Sequence, residues 1–240
     1  MSTLLKLAGV ETHIGQYHIL YGVDFEVPEG GVTMLLGRNG AGKTTTLRTI
    51  MGLWQASKGT ISFDGKDITR FATPDVARAG IAYVPENMSI FADLSVKENM
   101  ILAAREGEMD DARLKWIFGF FPALEKFWLS AAGSLSGGQK QMLSIARAIL
   151  EPRRLLLVDE PTKGLAPAII GSLTDCFQEL KKQKTTILLV EQNFAMAKAL
   201  GDSVAVMDQG RIVHSGEMRE LAEDNSLQTR LLGLSLDAHQ

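Results

Sequence analysis

Apolar positions fall first into short runs broken by turn formers, then shift to helical spacing, then return to short runs. Leu4 to Val10, Ile19 to Val27 and Val32 to Leu36 predict strands, with Gly15, Pro28 to Gly31 and, after Phe63, Asp64-Gly65 as breakers. One helix interrupts this start. It is predicted to begin in a glycine-rich loop and run through Leu47 and Ile50 to about Gly52, a residue suited to a helix end.

From about Asn87 to Leu150 the period becomes helical. Ser95 and Glu98 have capping-box spacing, and Met100, Ile101 and Ala104 follow on one face. Pro122 breaks the pattern after Trp116, Phe120 and Phe121, and a further helix is predicted from about Ser136 to Leu150. Beyond Pro152 come a strand at Leu155 to Asp159, a helix near Pro167 to Lys182, a strand at Thr185 to Val190 and a helix at Asn193 to Leu200. Ser203 to Asp208 and Arg211 to Ser215, joined by Gln209-Gly210, predict a hairpin. The alternation is that of an α/β sheet. The expected organisation is one domain over 1–240: a core from 1–86 and 151–216, a helical insertion over 87–150 and a helical tail over 217–240.

With 240 residues, 45% of them hydrophobic, the chain can bury a sizeable core without disulfides. Cys176 is the only cysteine and has no partner within the chain, which suits a reducing compartment or simply a small core residue. A net charge of -3 gives no global reason to bind nucleic acid, and the tight basic cluster Lys181, Lys182 and Lys184 sits at a predicted helix end. Met1 to Val10 lacks the basic-then-apolar order of a signal peptide, and no apolar run approaches the roughly 20 residues of a spanning helix.

Three segments carry chemistry. Gly37-Arg38-Asn39-Gly40-Ala41-Gly42-Lys43-Thr44, followed by Thr45, matches a phosphate loop between an apolar strand and a helix. Its backbone N-H groups would wrap phosphates, Lys43 would reach the outer ones and the Thr44 hydroxyl would hold Mg²⁺. Asp159 and Glu160 end a buried-type strand, at the sheet edge where ligands bind in open α/β folds. There Asp159 would anchor the Mg²⁺ shell while Glu160 orients and deprotonates a water, unless the pair is only a strand meeting solvent. Leu135-Ser136-Gly137-Gly138-Gln139 opens a helix, so Ser136 is either a plain N-cap or part of a second anion site serving another subunit's nucleotide.

These motifs, in this order and with a helical insertion before Ser-Gly-Gly-Gln, resemble the ATP-binding subunit of an ABC transporter. The resemblance implies a P-loop NTPase cassette of α/β class, with a mixed sheet core, an antiparallel β subdomain and a helical insertion. It implies ATP and Mg²⁺, and a head-to-tail dimer in which each ATP lies between one phosphate loop and the other chain's signature. Val84-Pro85-Glu86, Phe121-Pro122-Ala123-Leu124, Asp159 to Pro167 and Leu189-Val190-Glu191-Gln192-Asn193 resemble more closely the second ATPase of branched-chain amino-acid importers, the LivF type. That implies two membrane permeases, a sister cassette or a second copy as dimer partner, a periplasmic solute-binding protein, and a place on the cytoplasmic face of the inner membrane.

Importers of this type also handle urea, aromatic acids and other small acids or amides, so the solute stays open. A soluble ABC ATPase would be expected to show two cassettes, long coiled coils or basic surfaces, and a kinase an arginine-bearing lid. Against the broader ABC pattern, Glu86 stands where a glutamine contacts Mg²⁺ and water, and Gln192 where a switch histidine stands. Ile14 replaces the usual adenine-stacking aromatic, leaving Tyr17 as a candidate stacker or a packing residue. The aromatics of the insertion are mostly core, with Phe91 and Leu94 as candidates for a docking groove.

Overall fold

The computed structural model describes residues 2–104 and 107–233; the end of the expected helical tail, 234–240, lies outside the described residues. Two long strands, β1 (Thr3–Ile14) and β2 (Tyr17–Pro28), form an antiparallel hairpin, and β3 (Val32–Leu36) follows. Helix α1 (Lys43–Ile50) leads to β4 (Ala56–Phe63), β5 (Lys66–Asp67), α2 (Thr73–Arg78) and β6 (Ile81–Val84). The helical region holds α3 (Val96–Ile101), α4 (Asp111–Phe120), α5 (Pro122–Lys126), a 3-10 turn (Ala132–Ser134) and α6 (Gly137–Ile149). After it come β7 (Leu155–Asp159), α7 (Pro167–Lys182), β8 (Thr186–Val190), α8 (Phe194–Leu200), β9 (Ser203–Asp208), β10 (Arg211–Glu217), α9 (Met218–Glu223) and α10 (Asn225–Leu232).

The strands make two sheets. One is antiparallel, ordered β2-β1-β4-β5; the other is six-stranded, ordered β10-β9-β3-β8-β7-β6. In the second sheet β6, β7, β8, β3 and β9 run parallel and only β10 is antiparallel, so it is mixed. Its central strands β3, β7 and β8 are buried at every position, which is why they read as unbroken apolar runs. Alternate side chains feed two cores. Met34, Leu156, Val158 and Leu189 pack with α6 and α7, whereas Leu35, Leu157, Leu188 and Val190 pack with the hairpin and with Leu47 and Ile50 of α1. Helix α1 therefore lies between the sheets, and the loop before it is fixed at the carboxyl end of β3.

The helix signals in the sequence act as anticipated. Ser95 and Glu98 form a reciprocal capping box on α3, and Ser136 and Gln139 do the same on α6. Helix α1 stops where expected: Leu53 N-H donates to Arg48 C=O at 2.9 Å and Gly52 N-H to Thr49 C=O at 3.0 Å. Cys176 is fully buried among the core residues of α7. Phe121 is fully buried, and Trp116, Phe118, Phe120, Phe127 and Trp128 pack against the same core. Of the expected docking residues, Phe91 is exposed, with the Arg147 guanidinium 5.1 Å from its ring centre, and Leu94 is half-buried. No helix among the described residues is long and apolar enough to cross a membrane.

Candidate active site

The phosphate loop begins where β3 ends. At Gly37 a Cβ would stand 2.1 Å from the Met207 carbonyl of neighbouring β9, so no other residue fits without moving a strand. Gly42, the N-cap of α1, takes φ +106, a conformation closed to residues with side chains, and turns the chain into the helix. The first N-H groups of α1 have no intrahelical acceptor, and they open onto a cleft of about 350 Å³ lined by Ile19, Asn39 to Thr45, Glu86, Glu160 and Lys163. The arrangement gives positive potential and free donors at one spot, the chemistry of a phosphate site.

Lys43 is 4% exposed and folds back over its own loop, donating to the carbonyls of Gly37 at 2.9 Å and Arg38 at 3.1 Å. Its ammonium stands 3.6 Å from Glu160 Oε1. The Arg38 side chain points away, against Gly233 at the end of α10, so Arg38 serves the loop through its backbone.

Asp159 and Glu160 separate as a strand end requires. Asp159 is buried and accepts from Thr44 Oγ1 at 3.2 Å and from the Tyr83 hydroxyl at 3.3 Å. Glu160 adopts φ +46, left-handed for a residue with a side chain, while its N-H is held by the Val190 carbonyl at 2.9 Å. That twist sends its carboxylate into the cleft. Gln192 Nε2 donates to Glu160 Oε1 and to Asn39 Oδ1, both at 2.7 Å, so the residue at the switch position ties the general-base candidate to the phosphate loop.

Several participants are not singled out by the sequence, although Glu191 and Lys163 lie within runs quoted for the resemblance. Tyr83, pushed up to about 12 by burial and by the Asp159 charge, stays protonated and donates to that carboxylate. Glu191 is buried and raised by desolvation; it accepts from the N-H and hydroxyl of Thr162 and the N-H groups of Gln192 and Asn193. It thereby clasps the loop after β7 to the loop after β8. Lys163 pairs with Glu86 at 2.6 Å. Lys163 lies in the quoted run Asp159 to Pro167, but its partner is 77 positions away.

Glu86, expected beside Mg²⁺, thus meets a lysine. Tyr17 is 65% exposed at the turn end of the hairpin and does not line the phosphate cleft, where Ile19 stands instead. Ser136 to Gln139 are not among the cleft's lining residues either. Gly138 has a packing reason, since a Cβ there would lie 3.1 Å from Ile169 of α7, but around Gly137 nothing lies within 4 Å.

Burial raises Asp159 to about 6, helped by the charges of Glu160 and Glu86 and opposed by the donors Thr44 and Tyr83. An unfolded aspartate loses its proton near 3.8. The folded group holds its proton more tightly, so the charged form costs nothing below about pH 4 and its cost grows as pH rises through about 6. Asp159→Asn, which keeps one oxygen as acceptor and sets an amide N-H2 against the other hydroxyl, is expected to raise the melting temperature of the nucleotide-free protein at pH 8 and to raise it by less at pH 4.5. Equal shifts at both pH values would refute that account. A buried carboxylate that is penalised for its charge, with the Thr44 hydroxyl against it, is a fitting seat for a cation.

Residues 20–163 match the family model described as ABC transporter. The chain belongs to the ABC transporter family. As an ABC cassette it binds ATP and is an ATPase of the kind coupled to transport. It is 37% identical over 212 residues to the high-affinity branched-chain amino acid transport ATP-binding protein BraG of Pseudomonas aeruginosa, covering 88% of this chain and 91% of that one. It is 33% identical over 234 residues to a probable branched-chain amino acid transport ATP-binding protein LivF of Archaeoglobus fulgidus, covering 96% and 99%. Among solved structures, an ATP binding subunit of an ABC transporter superposes with a TM-score of 0.81 at 32% identity, over 98% of this cassette and 97% of that chain.

Proposed function

We propose that this chain is the ATP-hydrolysing subunit of an importer for branched-chain amino acids or closely similar small solutes, seated on the cytoplasmic face of the inner membrane through two permeases. What carries the hydrolytic reading is the Glu160 carboxylate, held in the phosphate-loop cleft by Gln192 and facing Lys43. The solute class rests on the relatives named above, two of which are branched-chain amino acid transport proteins.

The N-H groups of 40–45 and the Lys43 ammonium would bind the phosphates of ATP. Mg²⁺, held by Thr44 and Asp159 when bound, would neutralise phosphate charge. Glu160 would take the proton of the attacking water while Gln192, a neutral amide donor, keeps its carboxylate oriented toward the cleft. The cleft is lined without Ser136 to Gln139, which supports a second cassette bringing its own signature to this site. The exposed start of α6, with Gly137 free of packing demands, would in turn complete the partner's site. Glu86 and Gln192 in place of the usual amide and imidazole favour a mixed dimer with a sister cassette. A periplasmic solute-binding protein would deliver the solute.

Purified alone, the chain is expected to be mostly monomeric and to hydrolyse ATP slowly. Adding the sister cassette and permeases in vesicles with the binding protein should raise turnover and drive leucine uptake. Gln192→His should also raise turnover. A fully active homodimer insensitive to that substitution would overturn the mixed dimer, and vesicles that move urea or an aromatic acid but no branched-chain amino acid would overturn the solute assignment.

A further inference from the structure

Five charged side chains converge at the cleft, and their arrangement is not what the loop and the acidic pair alone require. Three are carboxylates: Glu86 and Glu160 on its walls, and Asp159 buried behind Thr44. Two are ammonium groups, Lys43 and Lys163. A phosphate-loop site needs one carboxylate for the cation and one for the water; Glu86 is a third. Its charge already helps raise Asp159, and left unmatched it would also repel the phosphates.

Lys163 answers it. Its ammonium contacts Glu86 Oε1 at 2.6 Å and lies 3.6 Å from Glu160 Oε2. Glu160 is consequently held from both sides: Gln192 and Lys43 face its Oε1, and Lys163 faces its Oε2. The backbone supports this placement, because Lys163 N-H donates to the Glu160 carbonyl at 3.3 Å and Thr162 beside it is fixed by Glu191. The ion pair is half in solvent, with side chains 58% and 42% exposed, so it adds little to folding stability. Its value lies in the cleft.

We propose that Lys163 and Glu86 form a matched charge pair that neutralises the third carboxylate at the nucleotide cleft, and that Lys163 is a positioning residue for Glu160. The proposal rests on the reading of this cleft as the ATP site. Acting together, the pair presents to the phosphates roughly what a neutral side chain would, so Glu86 without Lys163 is harmful and removing both charges is tolerated.

Calorimetry with Mg²⁺ and the non-hydrolysable analogue AMP-PNP tests this as a double-substitution cycle. Lys163→Met is expected to weaken binding roughly tenfold in low salt and less in high salt, because it strands Glu86 beside the phosphates. Adding Glu86→Gln in the same chain should bring affinity back to within about twofold of the unsubstituted protein, and Lys163→Arg should keep it there. Melting temperatures of all variants should stay close together, which separates the effect from a folding defect. Unchanged binding in Lys163→Met, or a double variant as weak as Lys163→Met, would overturn the pair while leaving the ATP site standing. An unsubstituted chain that fails to bind the analogue would overturn the ATP-site reading, and the pair with it.

Discussion

Glu160→Gln is expected to leave ATP binding intact and to slow hydrolysis by at least about two orders of magnitude, or roughly 2.7 kcal/mol of barrier. The size follows from what the substitution spares. Glutamine has the same shape, so the left-handed turn at φ +46 and the N-H bond to Val190 remain. Phosphate binding depends on the N-H groups of the loop and on Lys43, neither of which is altered. What is lost is the carboxylate that Gln192 ties to the phosphate loop and that Lys43 and Lys163 face from either side. An amide cannot accept the water's proton, so the ATP-bound, closed dimer should accumulate. Single-turnover kinetics beside nucleotide titration gives the answer, and near-normal turnover with normal binding would remove Glu160 from the base role.

The parts of the fold that were legible are those where one physical demand dominates. Strand β7 and helix α7 have the predicted limits, because a fully buried parallel strand must be an unbroken apolar run and Pro167 suits a helix start. The first hairpin runs longer than predicted, Thr3–Ile14 against Tyr17–Pro28. Its outer half carries Glu11, Thr12 and His13, polar residues whose place in a strand is secured by cross-strand partners rather than by burial alone. The pattern of apolar positions does not delimit strand β6. It has four residues and pairs along one side only, with β7, so local sequence offers little to mark it.

The same distinction runs through the site. The phosphate loop, the acidic pair and the Ser136 cap are contiguous, and their chemistry follows from neighbours in sequence. The Glu160 twist, the Glu191 clasp across 29 positions and the Glu86 to Lys163 pair across 77 exist only once β6, β7 and β8 lie side by side. Glu86 shows what a partner adds to a position: in sequence it is a carboxylate placed near a metal, and in the structure it lines the phosphate cleft paired with Lys163.

Lys43→Ala is expected to weaken MgATP binding by at least about tenfold and to abolish measurable turnover, since charge-assisted hydrogen bonds to phosphate are each worth about 1.5–3 kcal/mol. Two losses add here. The ammonium stands 3.6 Å from Glu160 and, with nucleotide bound, is the group that would meet the outer phosphates. In the nucleotide-free state it also braces the loop through the Gly37 and Arg38 carbonyls, so alanine leaves two acceptors without their donor and loosens the curve that the glycines shape. Lys43→Arg separates these effects: it restores charge, but a planar guanidinium in a space that leaves lysine 4% exposed cannot reproduce the fit, so binding should recover more than turnover does. Calorimetry and phosphate-release assays on both variants provide the comparison. If Lys43→Ala binds and hydrolyses MgATP as the unsubstituted chain does, the loop at Gly37 to Thr45 is not the nucleotide site, whatever its resemblance to one.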